Sequence, residues 1–188
     1  MATTDIKLVR KRSPEIVYRP PRKEDGADVW RLIQSCEPLD ENSLYCNLLQ
    51  CDHFGDTCIA AERTSDGALV GWVSAYLLPD EDDTLFVWQV AVDSSMRGQG
   101  LALRMLLALT ERVAREHGVR YMETTISPDN AASQALFKRA FDKLGADCTT
   151  RTLFSRAEHF AGQHEDEVLY RAGPFTVSHL EEELKEHA

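Results

Sequence analysis

The residues Arg97-Gly98-Gln99-Gly100-Leu101-Ala102 follow an apolar run over residues 85–92 and open a stretch with leucines at helical spacing. A buried strand, a bend carrying glycines and a helix N-terminus together make an anion site. Amides in the first helical turn lack an intrahelical acceptor and sit at the positive end of the helix dipole. Gly98 and Gly100 let the backbone approach a phosphate with no Cβ in the way. The spacing Arg-x-x-Gly-x-Ala sets this loop apart from two others. A dinucleotide fingerprint needs three glycines, and a Walker loop needs Gly-Lys-Ser/Thr.

A second chemical segment is Ser127-Pro128-Asp129-Asn130-Ala131-Ala132-Ser133-Gln134-Ala135-Leu136-Phe137, after a strand expected over residues 119–126. Pro128, Asp129 and Asn130 are helix-start residues. Asn130 suits a plain helix cap as well as a ligand contact, and its residue type leaves both open.

In order and spacing these two segments resemble the pyrophosphate loop and the later cofactor motif, Asn-x-x-Ser-x-x-Leu-Phe, of the GNAT superfamily of N-acetyltransferases. The resemblance implies acetyl-CoA as co-substrate. It implies that Val90, Ala91 and Val92 offer backbone groups to the pantetheine arm. Arg97, Gly98, Gln99, Gly100, Leu101 and Ala102 would hold the pyrophosphate, with Asn130, Ser133 and Phe137 as further cofactor contacts. It also implies an α/β fold: a mixed, mostly antiparallel sheet with flanking helices, its two central strands splayed around the cofactor. Periodicity alone does not give that splay.

Acetyl transfer from a thioester to an amine needs a held cofactor, a neutral amine and stabilisation of developing charge. A primary amine with a pKa near 10 costs about 4 kcal/mol to deprotonate at pH 7 without help. A carboxylate at the gap would take that proton, directly or through water. Glu123 is the candidate, on the strand expected to face the cofactor strand, with Tyr121 and Thr125 on its face. An exposed edge glutamate is the plainer reading. Many superfamily members protonate the leaving thiolate with a tyrosine where this chain has Phe137. Either another group serves, Tyr45 being the candidate, or the thiolate leaves unassisted, its pKa being about 8.5 like that of a free thiol.

The stretch over residues 38–51, with His53-Phe54, together with Asp83-Thr84-Leu85-Phe86-Val87-Trp88-Gln89, is similar to the diaminobutyrate acetyltransferases of ectoine synthesis. So are Glu123-Thr124-Thr125, His159-Phe160, Gly162, His164 and Gly173-Pro174-Phe175, in collinear order. This resemblance implies acetylation of the 4-amino group of L-2,4-diaminobutanoate by a homodimer. Such a substrate needs acceptors for two ammonium groups and donors for one carboxylate. Asp40, Glu123 and Glu167 are the candidate acceptors, Tyr45 and His164 the candidate donors, and Trp88 a wall or a cation face. Asp40 also suits a helix cap, Trp88 a core filler and Tyr45 a covering aromatic. A different small amine, such as a polyamine or an antibiotic amine, and a non-catalytic acyl-CoA-binding module are the competing readings.

The elements that must position these residues alternate in the manner of an α/β layer fold. Strands are expected over residues 16–19, 57–62, 69–78, 85–92, 119–126, 148–153 and 168–171. Helices are expected over residues 25–36, 43–50, 101–117 and 130–144, with a turn at Ser65-Asp66-Gly67. One acetyltransferase domain over residues 15–175 is expected, between a basic tail at 1–14 and an acidic tail at 176–188. The 188 residues, 43% hydrophobic, suffice for one full core. Twenty-one basic against 31 acidic side chains give a net charge of −10, which argues against nucleic acid or an anionic membrane as partner. No run reaches the roughly 20 apolar residues of a membrane span. Five cysteines, an odd count, fit reduced thiols in the cytoplasm. The spacings of His159, His164, Glu167, His53 and Cys51 match no metal motif, so no metal is expected.

Overall fold

A computed structural model describes residues 14–176. Residues 1–13 of the basic tail and 177–188 of the acidic tail lie outside the described residues.

Among the described residues seven strands form one sheet in the order β1-β2-β3-β4-β5-β7-β6. They are β1 (Ile16–Arg19), β2 (Ile59–Arg63), β3 (Leu69–Leu78), β4 (Glu81–Val92), β5 (Tyr121–Ile126), β6 (Cys148–Phe154) and β7 (Glu167–Ala172). Every neighbouring pair is antiparallel except β4 with β5. Those two run parallel and pair over three residues only, from Thr84↔Tyr121 to Phe86↔Glu123. Beyond that point residues 87–92 and 124–126 continue without pairing to each other, which is the fork that the family resemblance implies.

Two cores hold the sheet. On one face α3 (Leu101–His117) and α4 (Ala131–Leu144) cover it, with Leu101, Met105, Leu106, Leu109 and Val113 packed on Val73, Leu85, Val87 and Met122. Helix α3 lies so close to β3 that a Cβ on Gly71 would stand 2.6 Å from the Met105 sulfur. The other face carries α1 (Gly26–Gln34) and α2 (Leu44–His53) over a smaller core: Val29, Leu32, Ile33 and Cys51 against Cys58, Ala60 and Trp72. Each fully buried aliphatic side chain contributes about 1.5–3 kcal/mol, so the larger cluster dominates the hydrophobic stabilisation.

Capping explains where the helices begin. Ser43 Oγ accepts from Cys46 N at 3.1 Å and starts α2, so Asp40 is not that helix's cap. Asn130 Oδ1 accepts from Ser133 N at 3.0 Å and starts α4. Helix α3 runs between Gly100 and Gly118, both left-handed.

Candidate active site

The glycine loop is built as an anion cradle. Gly98 and Gly100 both have φ of 73°, a region that side chains disfavour. The first bond of α3 runs from Arg104 N to Gly100 O at 3.1 Å, so the amides just before it remain for an outside acceptor. Among the described residues nothing stands within 4 Å of a Cβ added to Gly98, which leaves room on that side of the loop. The loop is also tied down. Arg104 donates to Gln99 O at 2.7 Å and to the Tyr18 hydroxyl at 2.9 Å, and Arg97 Nε reaches Val92 O at 3.3 Å. These features fit a diphosphate, which needs free donors on a rigid, closely approachable backbone.

Two cavities meet at the fork. One, of about 470 Å³, reaches Val90, Asn130, Ser133 and Phe137 and lies on the cofactor side. The other, of about 1120 Å³, lies on the acceptor side between β3, β4 and the segment over residues 154–167. Five residues line both: Asp40, Trp88, Thr125, His164 and Glu167. They form a waist between the cavities. Four of the five are residues whose types the sequence singled out; Thr125 is the addition, given no role of its own there.

Trp88 reaches the waist through a β-bulge. Ser74 pairs with Gln89 and Ala75 with Val87, leaving Trp88 as the extra residue of β4. A bulge re-aims its side chain, and Trp88 is 51% exposed rather than core filler. Next to it the buried Gln89 donates to Asp40 O at 2.8 Å and accepts from Asn42 Nδ2 at 3.5 Å. Gln89 therefore clamps the Asp40 loop to β4. Sequence reasoning missed that role, because a strand residue carries no sign of a partner 49 positions away.

His164 and Glu167 come from the far side of the fork. His164 Nδ1 lies 2.8 Å from Glu165 O and 3.9 Å from Glu167 Oε1, and its ring packs on Phe160 at 4.7 Å between centroids. Glu167 opens β7 with its carboxylate mostly shielded from solvent.

Glu123 stands elsewhere, against the expectation that it opens onto the gap. It lines neither cavity, and its buried carboxylate accepts from Arg171 Nη1 at 2.6 Å. Arg171 also bridges to Glu81 at 2.7 Å and stacks over the Tyr121 ring at 4.5 Å. Burial works against the Arg171 charge, but its bonds to Glu123 and Glu81 prevail and raise its pKa. The physical reason is register: Glu123 is the last residue of β5 still paired with β4, one step before the strands part. Tyr45, on α2, is 69% exposed and also lines neither cavity. Phe137 borders the cofactor side, 4% exposed, and offers no hydroxyl. On the acceptor side, burial followed by the Glu123 charge raises the pKa of Tyr76. Among the described residues no group of three or more His, Cys, Asp or Glu is placed to hold a metal ion, and no helix is long and apolar enough to cross a membrane.

Comparison with known proteins agrees with this geometry. Residues 27–142 match the family model described as Acetyltransferase (GNAT) family. The L-2,4-diaminobutyric acid acetyltransferase of Methylotuvimicrobium alcaliphilum is 49% identical over 86% of this chain and 92% of its own length. That of Streptomyces coelicolor is 49% identical over 84% and 92%. The diaminobutyrate acetyltransferase EctA from Paenibacillus lautus, solved with L-2,4-diaminobutyric acid and coenzyme A, superposes with a TM-score of 0.79. It is 45% identical, over 87% of this chain and 97% of that one. A glycine cradle, a forked sheet and this degree of identity over nearly the whole chain lead to one conclusion: the chain belongs to the diaminobutyric acid acetyltransferases of the GNAT family.

Proposed function

We propose that this chain transfers the acetyl group of acetyl-CoA to the 4-amino group of L-2,4-diaminobutanoate by direct attack in a ternary complex. The product is the N4-acetyl compound that ectoine formation consumes. The observation that carries this reading is the waist. Two carboxylates, an imidazole, an indole and a hydroxyl stand where a cofactor-side cavity opens into a larger acceptor-side one.

Acetyl-CoA supplies an acyl group activated as a thioester. The amides of residues 98–102 hold its diphosphate, and the unpaired edge of residues 90–92 receives the arm leading to the fork. Asp40 and Glu167 hold the two ammonium groups, while Trp88 faces the substrate's cationic, aliphatic body. Glu167 takes the proton that must leave the 4-ammonium before its nitrogen attacks. It replaces Glu123 in that role because it faces both cavities, whereas the Glu123 carboxylate is engaged by Arg171. Glu123 and Arg171 fix the fork itself. With Phe137 in place of a tyrosine, Tyr45 outside the cavities and Tyr76 on the acceptor side alone, the thiolate leaves without a tyrosine acid.

The protein acts as a cytoplasmic homodimer in this reading. Phe54, Trp88 and Phe154, each more than 40% exposed, line the acceptor-side cavity, and Leu44 and Tyr45 lie on the adjoining helix. A second copy would cover part of that apolar surface. Light scattering tests the dimer, and CoA release tests the activity. With L-2,4-diaminobutanoate as acceptor, kcat/KM should exceed that for spermidine or a peptide N-terminus by at least 100-fold. Proton NMR of the product should place the acetyl group on N4. Comparable turnover of a polyamine, or binding of acetyl-CoA with no release of CoA, would overturn the proposal.

A further inference from the structure

The acceptor-side cavity has carboxylates in plenty and no arginine or lysine among its lining residues. Asp40, Glu158 and Glu167 can meet the two ammonium groups of the proposed substrate. Its carboxylate must be met by neutral donors, or by histidine.

Two such donors lie buried in the wall of this cavity. Gln50, on α2, is 2% exposed, and Ser74, on β3, is 1% exposed. Both line the cavity, and Gln50 Nε2 and Ser74 Oγ have no hydrogen-bond partner among the described residues. Asn47 Nδ2 donates to Gln50 Oε1 at 3.0 Å, an arrangement that turns Gln50 Nε2 and Asn47 Oδ1 outward from the pair. Buried donors without acceptors are rare in folded proteins and costly to leave unmet. A bound anion would remove that penalty on both at once. Bonds to a charged acceptor are also roughly twice as strong as neutral ones.

We infer that Gln50 Nε2 and Ser74 Oγ bind the α-carboxylate of the acceptor substrate and so set its preference for an amino acid over a simple diamine. The inference rests on the function proposed above. It adds a donor pair that Tyr45 does not provide, and it orients the substrate with its carboxylate away from the cofactor and its 4-amino group toward the fork.

The test compares L-2,4-diaminobutanoate with 1,3-diaminopropane, which has the same amines and no carboxylate. Gln50→Met keeps the volume and removes the amide; Ser74→Ala removes one oxygen. With diaminobutanoate, each variant should lose about 10- to 100-fold in kcat/KM, mostly through KM, with KM for acetyl-CoA unchanged. With 1,3-diaminopropane the loss should be at least tenfold smaller, so that discrimination between the two substrates shrinks by that factor. Equal losses on both substrates, or no loss on either, would overturn the inference and assign the two side chains to packing or to a bound water. Ser74→Ala is the smaller change and decides the matter if Gln50→Met does not fold. Failure of the proposed function reads differently: the unmodified enzyme would then not prefer diaminobutanoate at all.

Discussion

The two sides of the fork are made from different materials. The cofactor side is backbone: two left-handed glycines, the free amides of a helix start and an unpaired strand edge, with the loop and the helix start lying within six consecutive residues. The acceptor side is side chains gathered from distant segments. Asp40 and Gln50 come from the second helix and the loop before it, Ser74 and Trp88 from the β3–β4 pair, and His164 and Glu167 from the chain just before and at β7. A backbone site tolerates changes in most side chains but no Cβ at its bends. A side-chain site fails one function at a time. Substitutions on the two sides should therefore break different kinetic constants.

The largest effect is expected at Glu167. Glu167→Gln keeps the shape and removes the proton acceptor, and kcat should fall about 1000-fold, within the usual range for a lost general base. The Kd of acetyl-CoA should stay within twofold, since the cradle is untouched. Glu123→Gln is the control: kcat should fall less than tenfold, because the amide oxygen still accepts from Arg171. If Glu123→Gln costs more than Glu167→Gln, the proton goes to the buried pair and the two glutamates exchange roles.

Gly100→Asp should be the next largest and should move the opposite constant. It asks a side chain to adopt a φ of 73°, places a Cβ 3.3 Å from Arg104 Nη1 and brings a negative charge to the phosphates. About 100-fold weaker acetyl-CoA binding, roughly 3 kcal/mol, is expected from strain and repulsion together. Isothermal titration with CoA reads it directly, and unchanged affinity would remove the loop from the cofactor site.

The same contrast explains what was legible in the sequence. Local backbone features write themselves into short motifs. Helix α3 falls on residues 101–117, as expected, because glycines mark both its ends and leucines stripe its length. The cradle and the Asn130 cap were legible for the same reason. Strand β4 starts four residues earlier than expected, at Glu81, since Glu81, Asp82, Asp83 and Thr84 carry no apolar alternation. They are strand because the hairpin with β3 continues to Leu78↔Glu81, a tertiary cause. On the acceptor side residue types were informative and directions were not. Glu123 and Thr125 share a face of β5, yet the fork puts only Thr125 into the gap. Gln89 and Gln50 looked like ordinary strand and helix polar residues until their partners and burial were in view.

A smaller effect separates the two uses of Asn130. Its side chain caps α4 through Ser133 N and also borders the cofactor-side cavity. Asn130→Ala removes the cap, and about 1 kcal/mol of stability should go with it. Asn130→Ser restores a capping oxygen and should recover most of the melting temperature. Any rise in KM for acetyl-CoA that persists in Asn130→Ser belongs to cofactor contact, and a complete recovery assigns the residue to the helix alone.

The smallest effect probes the cover over the acceptor side rather than the site. Cys51 and Cys58 lie in the lesser core beneath α1 and α2, whereas Cys148 is exposed on the edge strand β6. Burial raises both core thiols from an ordinary 9.0 to about 12, the nearby Arg112 charge and the Ala75 backbone only partly offsetting it at Cys58. The sign follows from proton counting. Between pH 9 and about 12 the unfolded chain has lost these protons and the folded chain keeps them, so stability falls as pH rises through that window. Cys58→Ala should flatten the fall between pH 8 and pH 10 by about 1 kcal/mol in urea titrations, whatever its constant effect on packing. At pH 8 iodoacetamide should modify Cys148 ahead of Cys51 and Cys58: partial burial raises the Cys148 pKa as well, but its thiol is exposed whereas the two core thiols are buried. Early labelling of Cys51 with the cofactor still bound would mean that the acceptor-side cover opens on its own while the glycine cradle stays shut.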